Sequence, residues 1–463
     1  MPTSAKQETP LDVLNVVVDS MAALIKDYVK HKGDFTRKRK LDASAFMKVT
    51  LAMAGQSLNT ELINAFPDMD DRMTESAYEQ AKDKVKPELF MELFRAYNKT
   101  LKKHRLLYYK YAVYTIDGSD FNPPYQAKSK YAMEVPDNRT KKDGTPVKPF
   151  SQLHANILFN IMDWLYEDIV IQPKLSANER DAALEMLNRL DPKRPYIVLM
   201  DRGYDGFNMI EHGNHLNGQG YYVIRTKAGA GGIKEISDLP DKECDVVMEF
   251  TVTTSCQYYM QNKDKDPHLH HIPHVAKHHK TTFSKYTKDR RWDFAQTHKI
   301  KCRVVKFRIN DADTGKEEWE VLVTNLNRFE FPIKKMKELY HLRWGEETSF
   351  KELKYALSAV QFHSRKDDFV DMELLAHLTM FNAVSRSVNR VEVPQSADRK
   401  YDYVVSFKDA VTIVRKYFRL FCNDPPERLF AELLCFTRPV QSGRADKRNM
   451  KPKSAIWFVY RVA

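Results

Sequence analysis

The chain has few of the features that mark a secreted or membrane-embedded protein. It contains five cysteines in 463 residues. Cys244, Cys256, Cys302, Cys422 and Cys435 are widely scattered and form no C-x-x-C pair. This argues against a disulfide framework and fits a reducing compartment. No apolar stretch approaches the roughly 20 residues of a membrane span. The first apolar run, "LDVLNVVVDSMAAL", is broken by Asp19. A soluble cytoplasmic protein with no membrane partner is therefore expected. No internal repeat is present.

What is there is length, a normal apolar content and positive charge. A chain of this length exceeds one ordinary core, so two or more domains are expected. The formal net charge of +12 points first to nucleic acid and less to an anionic membrane surface. Residues 1–108 carry helical apolar spacing behind a loose tail, with a basic run from Arg37 to Lys40 in "GDFTRKRKL". The pattern then turns to strands. "YYKYAVYTID" ends in Asp117, "HANILFNIMDWLYEDIVIQP" reads as two strands joined near Asp163 and Trp164, and "PYIVLMDRGYDG" ends its apolar run at Asp201. A helix over "SANERDAALEMLNRL", with Ser176 as its N-cap, separates these strands. Together they predict a mixed sheet with helices on its faces. Residues 229–328 are β-rich but irregular, and helical spacing returns toward the C-terminus.

Asp117 and Asp201 both end strands, where a sheet can fix a side chain rigidly at a cleft. Either alone reads more readily as a turn-forming or capping Asp. A third acid is sought in "LYHLRWGEETSFKELKYAL" (339–357). On a continuous helix with Tyr340 at zero, Arg343 falls at about −60°, Glu347 at about −20°, Lys354 at about −40° and Lys351 near about +20°. These five share one stripe. A carboxylate, three cations and a phenol suit metal ligation beside a phosphate backbone, although i,i+4 pairing on a wet surface would produce the same stripe. Glu346 projects at about −120°, into the apolar face formed by Leu339, Leu342, Phe350, Leu353 and Leu357.

The spacing Tyr340-x2-Arg343-x3-Glu347-x6-Lys354 resembles the Y-R-E-K signature of the insertion-sequence-four group of DDE transposases, which includes the Tn-five-type enzyme. Trp344 after the Arg fits as well. "IDGS" around Asp117, "MDRGY" around Asp201 and "VLVTNL" (321–326) resemble the remaining blocks, in order, and "ESAYEQAKDKVKPELFMELF" (75–94) resembles the segment preceding the core. The resemblance spans roughly residues 35–375. Position 346 departs from it, being Glu where the family is usually apolar.

The resemblance implies an α/β fold: an RNase H-like mixed-sheet catalytic core with a β-rich insertion, flanked by N- and C-terminal helical regions. The corresponding division is 1–108, a helical domain binding transposon ends; 109–228, the first part of the core; 229–328, the insertion; 329–375, the catalytic helix; and 376–463, a helical region suited to dimerisation. Asp117, Asp201 and Glu347 are implied to hold two Mg²⁺ ions, with Mn²⁺ able to substitute. Tyr340, Arg343, Lys354 and Lys351 are expected at the DNA, joined by Arg225. The resemblance also implies a flipped base stacked on a Trp of the insertion. Trp319 occupies the matching place, although it reads equally well as a core residue. Trp292, beside Arg290 and Arg291, is the alternative.

The implied activity is cut-and-paste transposition. The enzyme would bind terminal inverted repeats of double-stranded DNA, cleave the ends, plausibly through hairpins, and join 3′ ends to target DNA. It would act as a homodimer on DNA in a bacterial cytoplasm, with the nucleoid as its site of action. A domesticated DNA-binding protein and a metal-dependent nuclease without strand joining are the rivals. The loop bearing His268, His270, His271, His274, His278 and His279 invites a zinc reading. Pro273 interrupts any helix there, and flanking lysines and arginines favour a DNA-contacting loop.

Overall fold

The structure, a computed structural model, describes residues 8–37, 40–101, 106–133, 144, 146, 148–190, 194–227, 232–272, 291–310, 317–396, 398–419 and 426–440. Lys38, Arg39, His274, His278, His279, Arg290 and Cys422 lie outside the described residues. Among those described, no helix is long and apolar enough to cross a membrane.

Five helices open the chain: α1 (Pro10–Ala23), α2 (Ala43–Ala52), α3 (Leu58–Ala65), α4 (Glu75–Asp83) and α5 (Glu88–Leu101). Side-chain caps start four of them. Thr9 and Asp12 form a reciprocal capping box on α1, while Asp42, Ser57 and Thr74 cap α2, α3 and α4. The sheet follows with β1 (Ala112–Phe121), β2 (Leu153–Asn160) and β3 (Leu165–Pro173). Next come α6 (Glu179–Arg189), β4 (Tyr196–Met200), α7 (Phe207–Asn214) and β5 (Gly220–Thr226). Asn178, rather than the expected Ser176, caps α6, because the chain first makes a short 3₁₀ turn over Lys174–Ser176. The turn between β2 and β3 does fall at Asp163 and Trp164, where Asn160 Oδ1 accepts the Met162 and Asp163 amides.

The first five strands order as β3-β2-β1-β4-β5. β1 pairs antiparallel with β2, and β2 with β3, whereas β1–β4 and β4–β5 are parallel. This mixed sheet, with α6 and α7 as its crossovers, is RNase H-like. Four further strands continue the same sheet: β6 (Cys244–Thr253), β7 (Leu269–His271), β8 (Thr297–Asn310) and β9 (Glu317–Thr324). The complete order is β3-β2-β1-β4-β5-β9-β8-β6-β7. The β-rich segment is therefore hydrogen-bonded to the core through β5–β9, from Val321↔Thr226 to Thr324↔Val223.

Strand alternation sends side chains to two separate cores. Tyr114, Ile116, Val198, Met200 and Ile224 face α6 and α7. Val113, Ile197, Leu199, Val223 and Leu322 face the helices that follow the sheet. These are α8 (Ile333–His341), α9 (Trp344–Lys351), α10 (Asp367–Val388) and α11 (Phe407–Phe418). A further helix covers Pro426–Cys435. α10 is buried along nearly its whole length, which explains its poor amphipathicity. The N-terminal helices α1, α2 and α5, together with α11, wrap it. A buried ion pair, Lys82 Nζ to Glu373 Oε1 at 2.6 Å, ties α4 to α10. His363 Nδ1 approaches the other Glu373 oxygen at 3.2 Å.

Candidate active site

Asp117 does not end its strand as expected: β1 continues to Phe121 against β2, and Asp117 comes just after the last pair with β4, Ile116↔Met200, while Asp201 directly follows β4. Both follow the odd-numbered alternation of Val113 and Leu199, so they project to the face covered by α8 and α9. Local backbone holds each carboxylate. Asp117 accepts the Gly118 amide and Asp201 accepts the Gly203 amide, both at 2.7 Å. Burial, and then the charge of Asp201, push the Asp117 carboxyl up to about 6.

The opposing helix is not uniform. α8 ends at His341, Leu342 and Arg343 keep helical dihedrals in a tighter turn with i→i−3 bonds, and α9 runs from Trp344 to Lys351 before a π-helical turn over Glu352–Ala356. These irregular turns shift the angles of a single 100° wheel across 339–357, although Glu346 is buried as its angle predicted. Tyr340 is buried at 2% exposure, and its hydroxyl donates to the Met200 carbonyl at 3.2 Å. Its donor is thus committed to the strand end just before Asp201. Arg343, also buried, donates to Glu347 Oε1 at 3.3 Å. Lys354 donates to Ser119 Oγ at 2.7 Å and to the Asp120 carbonyl at 2.8 Å, on the same strand as Asp117. Lys351 is exposed. Arg225 reaches Glu320 Oε1 at 3.0 Å, and that pair stands close enough to act electrostatically on Tyr340.

The second glutamate is the deeper one. Glu346 is 0% exposed, and neither of its oxygens has a hydrogen-bond partner among the described residues. Burial, and then the charge of Asp117, hold its carboxyl well above the usual range. The Thr115 hydroxyl beside it acts in the opposite direction, although no aligned hydrogen bond joins them. Several contacts seat α9 this deeply. A Cβ on Gly345 would meet Ile161 Cδ1 at 2.3 Å and Trp164 Cζ3 at 3.0 Å, so glycine lets the helix approach the β2–β3 turn without displacing these side chains. Tyr166 shares a hydrogen bond with Ser349 at 3.1 Å, and Trp164 Nε1 donates to Glu352 at 2.9 Å.

Other expected residues lie elsewhere. Trp319 faces away from Glu320 by strand alternation. Its ring lies between neighbours on β8, with Lys306 Nζ and the Arg308 guanidinium each 4.9 Å from its centroid. Trp292 packs with Phe294 and His298 on the α6–α7 face. Arg291 pairs there with Asp181 and Asp293. The structure does not bring these two residues to the carboxylates. His270 and His268 approach Glu235 at 3.0 and 3.7 Å. Among the described residues, the one compact set of acid and histidine donors is Glu211, His215 and His298, outside the expected loop.

A neighbouring group had no counterpart among the expected residues. His154 Nδ1 is 2.5 Å from Asp120, and its Nε2 makes an ion-pair contact with Glu179 at 3.1 Å. Lys174 also reaches Asp120, at 2.7 Å. The imidazole lies against Gly118, whose added Cβ would meet Nε2 at 2.2 Å, so the glycine after Asp117 makes room for it. The neighbouring His154 lowers the Glu179 carboxyl below its ordinary value. The sequence hint was His154, the one ionisable residue in a strand otherwise made of apolar residues and two asparagines.

A family model described as "Transposase DDE domain" matches residues 109–383, more than half of the chain. The chain belongs to the transposase DDE domain family. No curated protein matches it. Among solved structures, it is similar to the cryo-EM structure of the piggyBac transposase synaptic complex with hairpin DNA. The identity is 10%, the TM-score is 0.48, and the match covers 96% of this chain and 90% of that one. Within the DDE domain, Asp117, Asp201 and Glu347 offer carboxylate oxygens, a donor type suited to a hard divalent cation, although their oxygens are not drawn together into one compact set as those of Glu211, His215 and His298 are. Glu346, with two uncommitted buried oxygens beside them, fits such a group as well.

Proposed function

We propose that the chain is a cut-and-paste DNA transposase of the insertion-sequence-four type, acting on the inverted-repeat ends of its own element. The observation that carries this reading is the convergence of Asp117 and Asp201, from neighbouring parallel strands, beneath the helix pair bearing Tyr340, Arg343 and Glu347 within a DDE domain.

Asp117, Asp201 and Glu347 would hold two Mg²⁺ ions, or Mn²⁺ in their place. When bound, these activate a water or 3′-hydroxyl and stabilise the leaving oxygen of the phosphodiester. The chain's own residues set up that chemistry. Asp117 and Asp201 are pre-aimed by the Gly118 and Gly203 amides. Tyr340 fixes the end of α8 against β4. Arg343 orients Glu347 and supplies positive charge for DNA phosphate, and Lys354 does the same from the β1 side. Arg225, Lys351 and Trp319 are assigned to DNA farther out. Trp292 and Arg291 are assigned to a separate DNA contact, together with Arg290, which precedes them in sequence. The basic net charge favours double-stranded DNA as partner, and two ends cut together imply a homodimer on DNA, with residues 376–463 as its candidate interface. Residues 1–108 are assigned to end recognition.

The test uses labelled duplexes carrying the DNA that flanks the gene, incubated with full-length protein, Mg²⁺ and a target plasmid. Transposition predicts nicked ends and joined target products, both absent for Asp117→Asn. A gel shift without nicks would identify a binding protein instead. Nicks without joined products would identify a nuclease.

A further inference from the structure

We propose that Glu346 is an additional metal ligand of this centre, reaching the ion site from inside the fold beside Asp117 and Asp201. The proposal rests on the metal-centre reading given above. The family resemblance places an apolar residue at this position and assigns the ligand to Glu347.

The physical case begins with cost. Position 346 lies on the apolar face of α9, where an aliphatic side chain would sit without penalty. A carboxylate there is fully buried, with neither oxygen hydrogen-bonded among the described residues. Left ionised, it is repelled by Asp117 and Asp201; left protonated, it has the neighbouring Thr115 hydroxyl beside it, but no aligned hydrogen bond joins the two. Its surroundings repeat the pattern. Thr115 lies two residues before Asp117, on the same face of β1, and its buried hydroxyl has no hydrogen-bond partner among the described residues. The Tyr204 hydroxyl is likewise buried and without such a partner, and both Asp117 and Glu346 act on it electrostatically. The Thr115 and Glu346 oxygens, from β1 and α9, are thus uncommitted on the face that carries Asp117, while the Tyr204 ring packs in the core of the opposite face. A divalent cation reconciles them, because it neutralises the repulsion and takes oxygen donors.

Glu347 presents the contrasting case. Its side chain is 26% exposed and engaged by Arg343. The placement of Glu346 is not a loose rotamer: Gly345 against Ile161, Ser349 against Tyr166 and Glu352 against Trp164 together fix the rotation of α9. Two ions spread their ligands more widely than one, leaving room for acids on both sides of the pair.

The experiment measures equilibrium Mn²⁺ binding to the metal-free, full-length protein without DNA, by electron paramagnetic resonance of free Mn²⁺. The proteins compared are wild type, Glu346→Gln, Glu346→Leu, Glu347→Gln and Asp117→Asn. Glu346→Gln is expected to weaken Mn²⁺ binding by tenfold or more, and to melt in EDTA at or above the wild-type temperature. Glu346→Leu keeps the test decisive if the Gln variant folds poorly. Loss of binding in Asp117→Asn with less than tenfold weakening in the Glu346 variants overturns this proposal alone. Wild-type binding in Asp117→Asn overturns the metal-centre reading itself.

Discussion

Asp117→Asn is expected to make the metal-free protein more stable while removing its catalysis. The Asp117 carboxyl, buried beside Asp201, is raised from 3.8 to about 6. At about 1.4 kcal/mol per unit, that shift corresponds to about 3 kcal/mol. Its sign follows from proton binding. Between pH 4 and 6 the folded state holds this proton while the unfolded state has released it, so stability falls as pH rises through that window. Above pH 6 the loss is complete. Asn carries no such charge. The two proteins should therefore unfold alike near pH 4, whereas at pH 7.5 in EDTA the variant should be more stable by about 2–3 kcal/mol. Urea unfolding followed by tryptophan fluorescence at both pH values measures the difference, and titrating groups remote from Asp117 cancel between the two proteins. Adding Mg²⁺ should stabilise the wild type and leave the variant unmoved. A variant that matches wild type at pH 4 but is no more stable at pH 7.5 would refute the electrostatic argument.

Lys82→Met leaves Glu373 charged and buried against α10, and should cost about 3–5 kcal/mol in urea unfolding; a Lys82→Met/Glu373→Leu pair should recover much of it. Burial depresses the His377 imidazole to about 3. Stability should therefore fall as pH drops from 6.5 toward 3, because the unfolded chain takes up a proton that the folded one refuses. His377→Leu should flatten that acid limb in unfolding midpoints collected across the range. Tyr340→Phe removes the bond to the Met200 carbonyl, at about 1 kcal/mol of stability. It should slow end cleavage while leaving the gel-shift affinity for end DNA unchanged.

Much of the catalytic core could be read from local pattern. Asp117 and Asp201 stood out because β-branched and aromatic runs mark fully buried parallel strands and end at these acids. The burial of Glu346 followed from its angular position. The tighter turn at Leu342 and Arg343 left no such mark, since no proline interrupts the segment and a helical wheel assumes constant pitch. His154 and Glu179 escaped notice for a different reason. One is on β2 and the other begins α6, and only the β1–β2 register together with the short turn before α6 brings them to Asp120. Trp319 could be placed on its strand, but which face it occupies depends on the pairing of β9 with both β5 and β8.

The unbroken ladder from β5 into β9 has a mechanical consequence. Four residue pairs join these strands, so the strands from 244 to 324 cannot swing over the carboxylates like a hinged flap without tearing that ladder. Any movement there must pass through the twist of the sheet as a whole. The extension behaves as a stiff cantilever clamped at the catalytic strands. A DNA end laid along it would have to supply the bending itself.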